Sequence, residues 1–296
     1  MNITREGALA AVLGGALLGS VVPVLAAEWH FVAEPAAIYD DNVTHGDDSS
    51  DIRDDEIAVA SVSSGRVFAI TGADLITATA ELKSAQYLRF GRLGYFDLGP
   101  AVSYRHKFGL GVLAPWLALS ASVQRRDFYR SRMRDGYAGM VQVAAGRRLS
   151  ERLDAGLGAA YDWRISKSGT PLDEGLPSTV FNLKGLNLFA KAAYQLTDRV
   201  QIDARLNVRR GDVESGTRSE DLAYGGVRAI APDPAFDDDF YAYRLLGTTV
   251  ATVAELSWAA GDRSSFSLSG SRDRTFSSGG SSYDGGWLRV SYQYRY

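Results

Sequence analysis

The sequence predicts an all-β fold, an antiparallel β-barrel that spans a membrane with twelve strands. Three features of the 296-residue chain lead to this prediction: an apolar N-terminal segment, a series of long segments in which apolar and polar residues alternate, and a final segment that alternates up to an aromatic residue. Alternation with a period of two is typical of a strand with one apolar and one polar face. A strand between lipid and a wet lumen has this pattern.

The N-terminal segment predicts a cleaved secretory signal peptide. A short polar start contains Arg5, and residues 7–25 are almost wholly apolar or small. We expect cleavage to remove residues 1–26, which leaves residues 27–296 as a single barrel domain. The run is also long enough to be an uncleaved membrane anchor. Its glycines and Pro23 disfavour a permanent helix.

Composition excludes several kinds of protein and site. The chain has no cysteine, so disulfides and cysteine metal sites are excluded. A formal net charge of -3 is too weak to indicate a nucleic-acid partner. We predict no cofactor, no metal and no catalytic residue.

The first six predicted strands are long alternating segments bounded by turn residues. They are 28–40, with Trp29 and Phe31 on one face; 56–70; 73–90; 96–108, with Leu98, Val102 and Tyr104 opposite Arg105 and Lys107; 114–129, with Leu117 and Leu119 opposite Gln124 and Arg126; and 136–148.

The last six predicted strands include the cleanest alternation in the chain. They are 152–166; 180–196, with Leu186, Leu188 and Ala190 on one face; 199–212, where Val200, Ile202, Ala204 and Leu206 alternate with Gln201, Asp203, Arg205 and Asn207; 240–258; 264–275; and 284–296. Ten or fourteen strands are the alternatives, because two of the predicted external connections are short.

The connections between these strands alternate in length. Membrane β-barrels have short periplasmic turns and long external loops. An even number of strands with this alternation places both termini on the periplasmic side.

The last ten residues, 287–296, read WLRVSYQYRY. This end resembles the C-terminal targeting signal of Gram-negative outer-membrane β-barrels. The signal peptide and the strand pattern resemble the same class, without pointing to one functional family. The resemblance implies a place in the outer membrane, contact with its lipid and lipopolysaccharide, and recognition of the last strand by the barrel-assembly machinery.

The polar faces of the strands predict a lumen in which basic residues outnumber acidic ones. The predicted lumen-lining residues are Glu81, Lys83, Arg89, Arg105, Lys107, Gln124, Arg126, Asp154, Asp162, Arg164, Lys191, Asp203, Arg205, Arg209, Glu255, Arg289 and Arg295. Such charges bias which solutes pass. They can also pair across the lumen and fill it, and twelve strands lie between the filled eight-stranded barrels and the open sixteen-stranded ones.

Aromatic residues near strand ends predict two girdles at the membrane interfaces. The residues assigned to these girdles are Trp29, Trp116, Tyr194, Trp258, Trp287 and Tyr296.

Two acidic groups lie in the predicted external loops. Residues 40–56 are dense in Asp and contain His45, and a second group holds Asp233 and 237–239. We expect solvated loops. A calcium site is an alternative for such carboxylates.

The sequence favours a porin-like channel for small polar or anionic solutes. A second hypothesis is a non-conducting structural, assembly or surface-interaction barrel, for example in polysaccharide or protein export, with loop 213–239 carrying the interaction. A lesser alternative is an outer-membrane hydrolase that uses His45.

Overall fold

The sheet closes on itself to form a barrel. The computed structural model describes residues 29–169, 176–218, 226–278, 280 and 282–296. All its strands belong to one antiparallel sheet. The predicted signal peptide lies outside the described residues. No helix in the described ranges is long and apolar enough to cross a bilayer.

Twelve long strands form the wall, which confirms the predicted number, and one short strand is added at one end. The wall strands are β1 (Trp29–Asp40), β2 (Asp55–Ala69), β3 (Asp74–Tyr87), β4 (Tyr95–Lys107), β5 (Trp116–Phe128), β6 (Gly136–Arg148), β7 (Leu153–Ser166), β8 (Leu183–Gln195), β9 (Val200–Arg218), β11 (Phe240–Ala259), β12 (Ser264–Ser277) and β13 (Ser282–Arg295); β10 is Ala229–Pro232. Two single-turn 3-10 helices, Gly91–Leu93 and Arg132–Arg134, precede β4 and β6.

The first and last strands complete the barrel. Strand β1 pairs with β2 on one side and with β13 on the other, with Ala33 opposite Tyr294 and Tyr39 opposite Leu288. Closure removes the free edges that an open sheet would present to lipid.

The two faces of the wall differ in polarity, as the alternation predicts. In β13, Leu288 and Val290 are each 52% exposed on the outer face, whereas Arg289 between them is buried inside. The other strands repeat this pattern, so large apolar side chains cover the outside of the barrel. An apolar surface of this extent indicates contact with a membrane.

The two ends of the barrel are different. At the end where Trp29 and Arg295 lie, called the turn end, short turns join β2 to β3 and β8 to β9. At the opposite end, called the loop end, β1 passes into the connection 41–54.

At the loop end, strands β9 and β11 leave the wall and bend inward. Strand β8 pairs with β9 up to Gly211, and β12 pairs with β11 from Gly247 onward, whereas β9 and β11 remain paired with each other as far as Arg218 and Phe240. Strand β10 takes the edge of β11 that β12 has left. Residues 212–217 are all buried, so both faces of this extension are covered. Residues 212–218 and 226–246 are called the plug.

The plug fills the mouth of the barrel, because loops from around the loop end contact it. The contacting groups are the Thr44 carbonyl, which accepts from Gly216 N–H at 2.9 Å; Arg92, which donates to the Pro234 carbonyl at 2.6 Å; Arg134, which pairs with Asp233; the Pro177 carbonyl, which accepts from Ile230 N–H at 3.0 Å; and the Tyr283 hydroxyl, which donates to the Glu214 carbonyl at 3.2 Å. Apolar residues of the inner wall, such as Ile57, Tyr87 and Phe128, pack in the same core as Ala235 of the plug.

These contacts correct two predictions about loops. Residues 213–239 do not begin a solvated loop, because β9 continues to Arg218 and β10 packs in the mouth. The connection 40–56 is not solvated throughout: His45 and Asp51 are buried against the plug, where the Ser215 hydroxyl donates to the His45 carbonyl and the Thr217 hydroxyl donates to Asp51.

Gly211 stands where the plug leaves the wall, and it is opposite Gly247. A Cβ at Gly211 would lie 2.3 Å from the Lys184 carbonyl oxygen and 2.4 Å from the Gly185 Cα atom. We therefore expect Gly211→Ala to lower the free energy of unfolding by about 1–3 kcal/mol, as overpacking does. Urea unfolding of the two proteins in detergent micelles measures this difference in the free energy of unfolding.

Gly72→Ala in the β2–β3 turn is the matched control, because a Cβ there meets nothing within 4 Å. Equal stability of the two variants would show that the close approach at Gly211 does not matter.

Candidate functional site: the lumen

The turn-end half of the barrel contains a cavity of about 320 Å³ with many charged side chains in its wall. Its wall includes Trp116, Lys191, Arg205 and Glu255. The cavity reaches the turn end of the barrel, because Asp198 of the β8–β9 turn also lines it.

Part of the interior charge is held in buried ion pairs. Arg126 on β5 donates two hydrogen bonds to Asp97 on β4, at 2.7 and 2.6 Å. Arg209 on β9 does the same with Asp162 on β7, with Nε 2.9 Å and Nη2 2.6 Å from the carboxylate oxygens. A carboxylate matches the planar fork of a guanidinium, and such bidentate, charge-assisted hydrogen bonds are stronger than hydrogen bonds between neutral groups.

Two more pairs lie on the inner wall. Arg289 on β13 donates to Glu34 on β1, and both side chains are buried. Arg148 and Asp154 form a longer, half-exposed pair of 3.3 Å where the cavity approaches the turn end.

Other basic residues are stacked on aromatic rings. Arg105 and Lys191 lie 5.2 and 5.4 Å from the centroid of the Trp116 ring, and Arg205 lies 4.0 Å from that of Phe189. A ring face attracts a cation without neutralising it. Among the described residues no carboxylate forms an ion pair with these three cations, and two of them, Lys191 and Arg205, line the cavity.

Glycine gives Trp116 the room to lie flat against the wall. A Cβ at Gly146 would lie 2.6 Å from Cζ2 of the Trp116 ring. A larger residue at this position would push the indole and its stacked cations into the cavity.

Two carboxylates complete the cavity wall. Asp203 on β9 accepts a hydrogen bond of 2.7 Å from Gln201, and Glu255 on β11 accepts one of 2.9 Å from Ser257. The two residues are directly opposite each other across the β9–β11 ladder.

Arg134 is the main ionic anchor of the plug. It donates to Glu214 at 3.2 Å and to Asp233 at 2.5 Å, and its guanidinium lies 3.9 Å from the centroid of Phe181. Arg164 supports it by donating to its carbonyl oxygen at 2.9 Å. All four charged side chains are buried.

The remaining predicted lumen residues fall in three places. Glu81, Lys83 and Gln124 are half-buried on the inner wall, where Gln124 lies 3.5 Å from Glu81 and Lys83 lies over the Tyr95 ring. Lys107 is half-buried at the turn end. Arg295 is exposed at the turn end, near the end of β13.

The assignment of Arg89 to the lumen is wrong. Strand β3 ends at Tyr87, so the alternation stops before Arg89. Its side chain is exposed at the loop end, where it pairs with Asp54.

The assignment of Trp116 and Trp287 to the membrane interface is also wrong. Both are buried inside the barrel, where Trp116 packs against Phe189 and Trp287 packs against Val253. Their neighbours Leu117 and Leu288 have the opposite parity and lie on the lipid side. Trp29, Tyr194, Trp258 and Tyr296 are exposed, with Trp29 and Tyr296 at the turn end.

The sequence reasoning missed several interior residues. The alternation of β1 and β4 would have placed Glu34 and Asp97 inward. Together with the outward position of Arg89, they reduce the predicted excess of basic charge. Arg134 and Glu214 follow no alternation that could have identified them, because Arg134 lies in a 3-10 helix and Glu214 in the plug, both outside the wall.

The acidic groups of the loops do not form a common site in the structure. Asp233 is buried with Arg134, whereas 237–239 are exposed. In the described residues, no group of three or more His, Asp or Glu side chains is arranged to hold a metal ion.

Comparisons with known proteins identify the fold. No protein-family model matches the sequence, and no curated protein matches it. The barrel is similar to a solved outer membrane channel from Pseudomonas putida F1, with a TM-score of 0.60, 10% sequence identity, and coverage of 94% of this chain and 98% of that chain. The chain thus has the fold of an outer-membrane β-barrel.

Two other solved channels match with lower scores. The outer membrane channel DcaP of Acinetobacter baumannii has a TM-score of 0.44 and 6% identity over 92% of this chain and 98% of that chain. The NanC porin has a TM-score of 0.44 and 9% identity over 88% and 98%.

The Arg126–Asp97 pair gives a prediction about stability. Replacing Asp97 with Asn removes the carboxylate that accepts both hydrogen bonds of the buried Arg126 guanidinium. Breaking one side of such a pair costs about 3 kcal/mol or more. We expect this loss in the free energy of unfolding, measured with denaturant in micelles.

Asp127→Asn is the matched control, because Arg125 and Asp127 form an exposed pair on the same strand as Arg126. Exposed pairs contribute about 1 kcal/mol at most. The interpretation fails if the two substitutions cost the same.

Proposed function

We propose that this chain is a porin-like channel of the outer membrane for small polar or anionic solutes. The observation that supports this best is a cavity with many charged side chains in its wall, inside a barrel with an apolar outer face. Its volume of about 320 Å³ is that of a site for a small molecule. The unneutralised cations over Trp116 and Phe189 favour anions.

The proposal includes the place and orientation of the barrel. The signal peptide would be removed, the termini would face the periplasm, and the loop end would face lipopolysaccharide. The exposed apolar face and the aromatic last strand, which the assembly machinery would recognise, support this arrangement. The predicted lumen residues that line the cavity, with Glu34 and Trp116 added, would form the solute path.

In this proposal the plug is a gate. Its buried segments fill the loop end, so conduction requires a displacement of the plug. The hydrogen bonds to Thr44, Pro177 and Tyr283 and the ion pairs of Arg134 hold the closed state.

We propose a channel rather than an enzyme. The ring of His45, the residue considered for hydrolysis, is buried and stacked on Tyr283 with centroids 5.4 Å apart. Its carbonyl oxygen holds Ser215 of the plug. These contacts support a structural role for His45.

A non-conducting barrel is the second candidate, and the filled loop end favours it. In that case the exposed carboxylates of 237–239 would contact a partner at the cell surface. Replacing all three with Asn would abolish that contact and leave the barrel intact.

Single-channel recording of the purified protein in planar bilayers is the first test. We expect conductance steps that are small and intermittent because of the plug, and a reversal potential in a salt gradient that shows preference for anions. A cation preference would contradict the assignment of the lumen.

Arg134→Gln should increase the fraction of time that the channel is open. It removes the guanidinium that binds both Glu214 and Asp233, and breaking one side of such a buried pair costs about 3–5 kcal/mol in the closed state. Arg132→Gln, two residues away and exposed, should leave gating unchanged. If neither the original protein nor the Arg134 variant conducts while both migrate as folded barrels, the channel proposal is wrong and the second candidate is favoured.

A further inference from the structure

The cavity wall carries two like-charged pairs. Lys191 on β8 is directly opposite Arg205 on β9, and Asp203 on β9 is directly opposite Glu255 on β11. All four residues line the cavity. Like charges that face each other across a ladder destabilise a sheet. This arrangement therefore has a cost that the fold alone does not require.

Local contacts hold Arg205 apart from the two carboxylates. Arg205 donates to Asn207 at 2.7 Å and stacks on Phe189, both of which draw it toward the loop end. Gln201 and Ser257 donate to Asp203 and Glu255 from the turn-end side. The Arg205 guanidinium is thus turned away from the two carboxylates, and among the described residues no ion pair joins Lys191 or Arg205 to Asp203 or Glu255.

Both the cationic pair and the anionic pair can still bind a charged group of a solute. Among the described residues, no carboxylate lies within ion-pair distance of Lys191 or Arg205. The second oxygen of the Glu255 carboxylate, Oε2, is buried and has no hydrogen-bond partner among them. A buried acceptor without a partner is costly, and a donor from a solute would remove that cost. Arg289, on the same wall, is already bound to Glu34.

We propose that this wall binds a small linear zwitterion, with its carboxylate at Lys191 and Arg205 and its ammonium at Asp203 and Glu255. This inference rests on the proposed function, since it names the solute class of the channel. The Cα atoms of Asp203 and Arg205, two residues apart on one strand, are separated by about 6.6 Å. Because Arg205 leans away from the two carboxylates, the solute must carry its charges several bonds apart.

An α-amino acid is too short to reach both pairs. An amino acid with its ammonium at the far end of the chain, or a short peptide, has the required length. The aromatic rings of Trp116 and Phe189 hold the cations in place beneath the carboxylate end.

Titration calorimetry on the full mature chain folded in detergent micelles tests this proposal. The probes are ε-aminohexanoate, γ-aminobutanoate and glycine, with hydroxyhexanoate lacking the ammonium and aminohexanol lacking the carboxylate. We expect ε-aminohexanoate to bind most tightly, glycine to bind weakly, and each single-charge analogue to lose about tenfold in affinity, as loss of a charged hydrogen bond implies.

Substitutions separate the two ends of the site. Arg205→Gln should weaken ε-aminohexanoate and hydroxyhexanoate alike, whereas Glu255→Gln should weaken ε-aminohexanoate and leave hydroxyhexanoate unchanged. Arg205→Lys, which keeps the charge, should retain most of the affinity. Arg210→Gln is the matched control, because Arg210 is exposed on the outer face of the same strand. Heat-dependent mobility on gels verifies that each variant is a folded barrel.

Equal affinity for ε-aminohexanoate and hydroxyhexanoate, or the absence of binding by the folded protein, would overturn the inference. This result is independent of the conductance test. A barrel that conducts and does not bind the zwitterion retains the proposed function and loses this inference. A barrel that binds the zwitterion but shows no conductance in any variant retains the binding site and loses the proposed channel function.

Discussion

Closure of the sheet between β1 and β13 is the constraint on which the rest of the structure depends. In hydrocarbon an unpaired backbone N–H or carbonyl costs several kcal/mol, so a spanning sheet must have no edge. The β1–β13 ladder provides this, and it also fixes the two faces of the wall. A slip of one residue would turn Arg289 toward lipid and Leu288 inward, which makes the observed register strongly preferred.

A closed barrel of this size forces alternate residues of twelve strands into one narrow interior. The interior meets this demand differently at its two ends. At the loop end the plug and apolar residues of the inner wall, such as Tyr87 and Phe128, form a core with Arg134 paired inside it. At the turn end, glycine at Gly146 lets Trp116 lie flat, and a cavity remains.

The treatment of charge also differs along the interior. Arg126, Arg209 and Arg289 each have a buried carboxylate partner. Replacing such pairs with apolar residues is often neutral or stabilising, so they are weak evidence of selection for stability. Lys191 and Arg205 instead stack on rings and face the cavity. The cavity wall therefore carries both paired cations, such as Arg289, and cations with no carboxylate within ion-pair distance among the described residues, namely Lys191 and Arg205.

Most of the wall could be predicted from the sequence, because each strand carries its own alternation. The bounds of β6 agree with prediction at both ends, and those of most other strands agree within about three residues. The errors have local physical causes. Nearness to a strand end misplaces Trp116 and Trp287 at the membrane interface, because the parity of Leu117 and Leu288 puts both indoles inward. The alternation of β3 misplaces Arg89 in the lumen, because the strand ends at Tyr87.

The alternation in the sequence is sufficient to predict a membrane barrel and the inner or outer face of most strand residues, since a period of two is a property of neighbouring residues. The tertiary structure alone decided which inward charges are neutralised and which end is filled. Glu34 and Arg289 are 255 residues apart in the chain, and Arg134 and Asp233 are 99 apart. No local pattern encodes such partners. They meet because closure and the inward bend of β9 and β11 bring distant strands and loops into the same small volume.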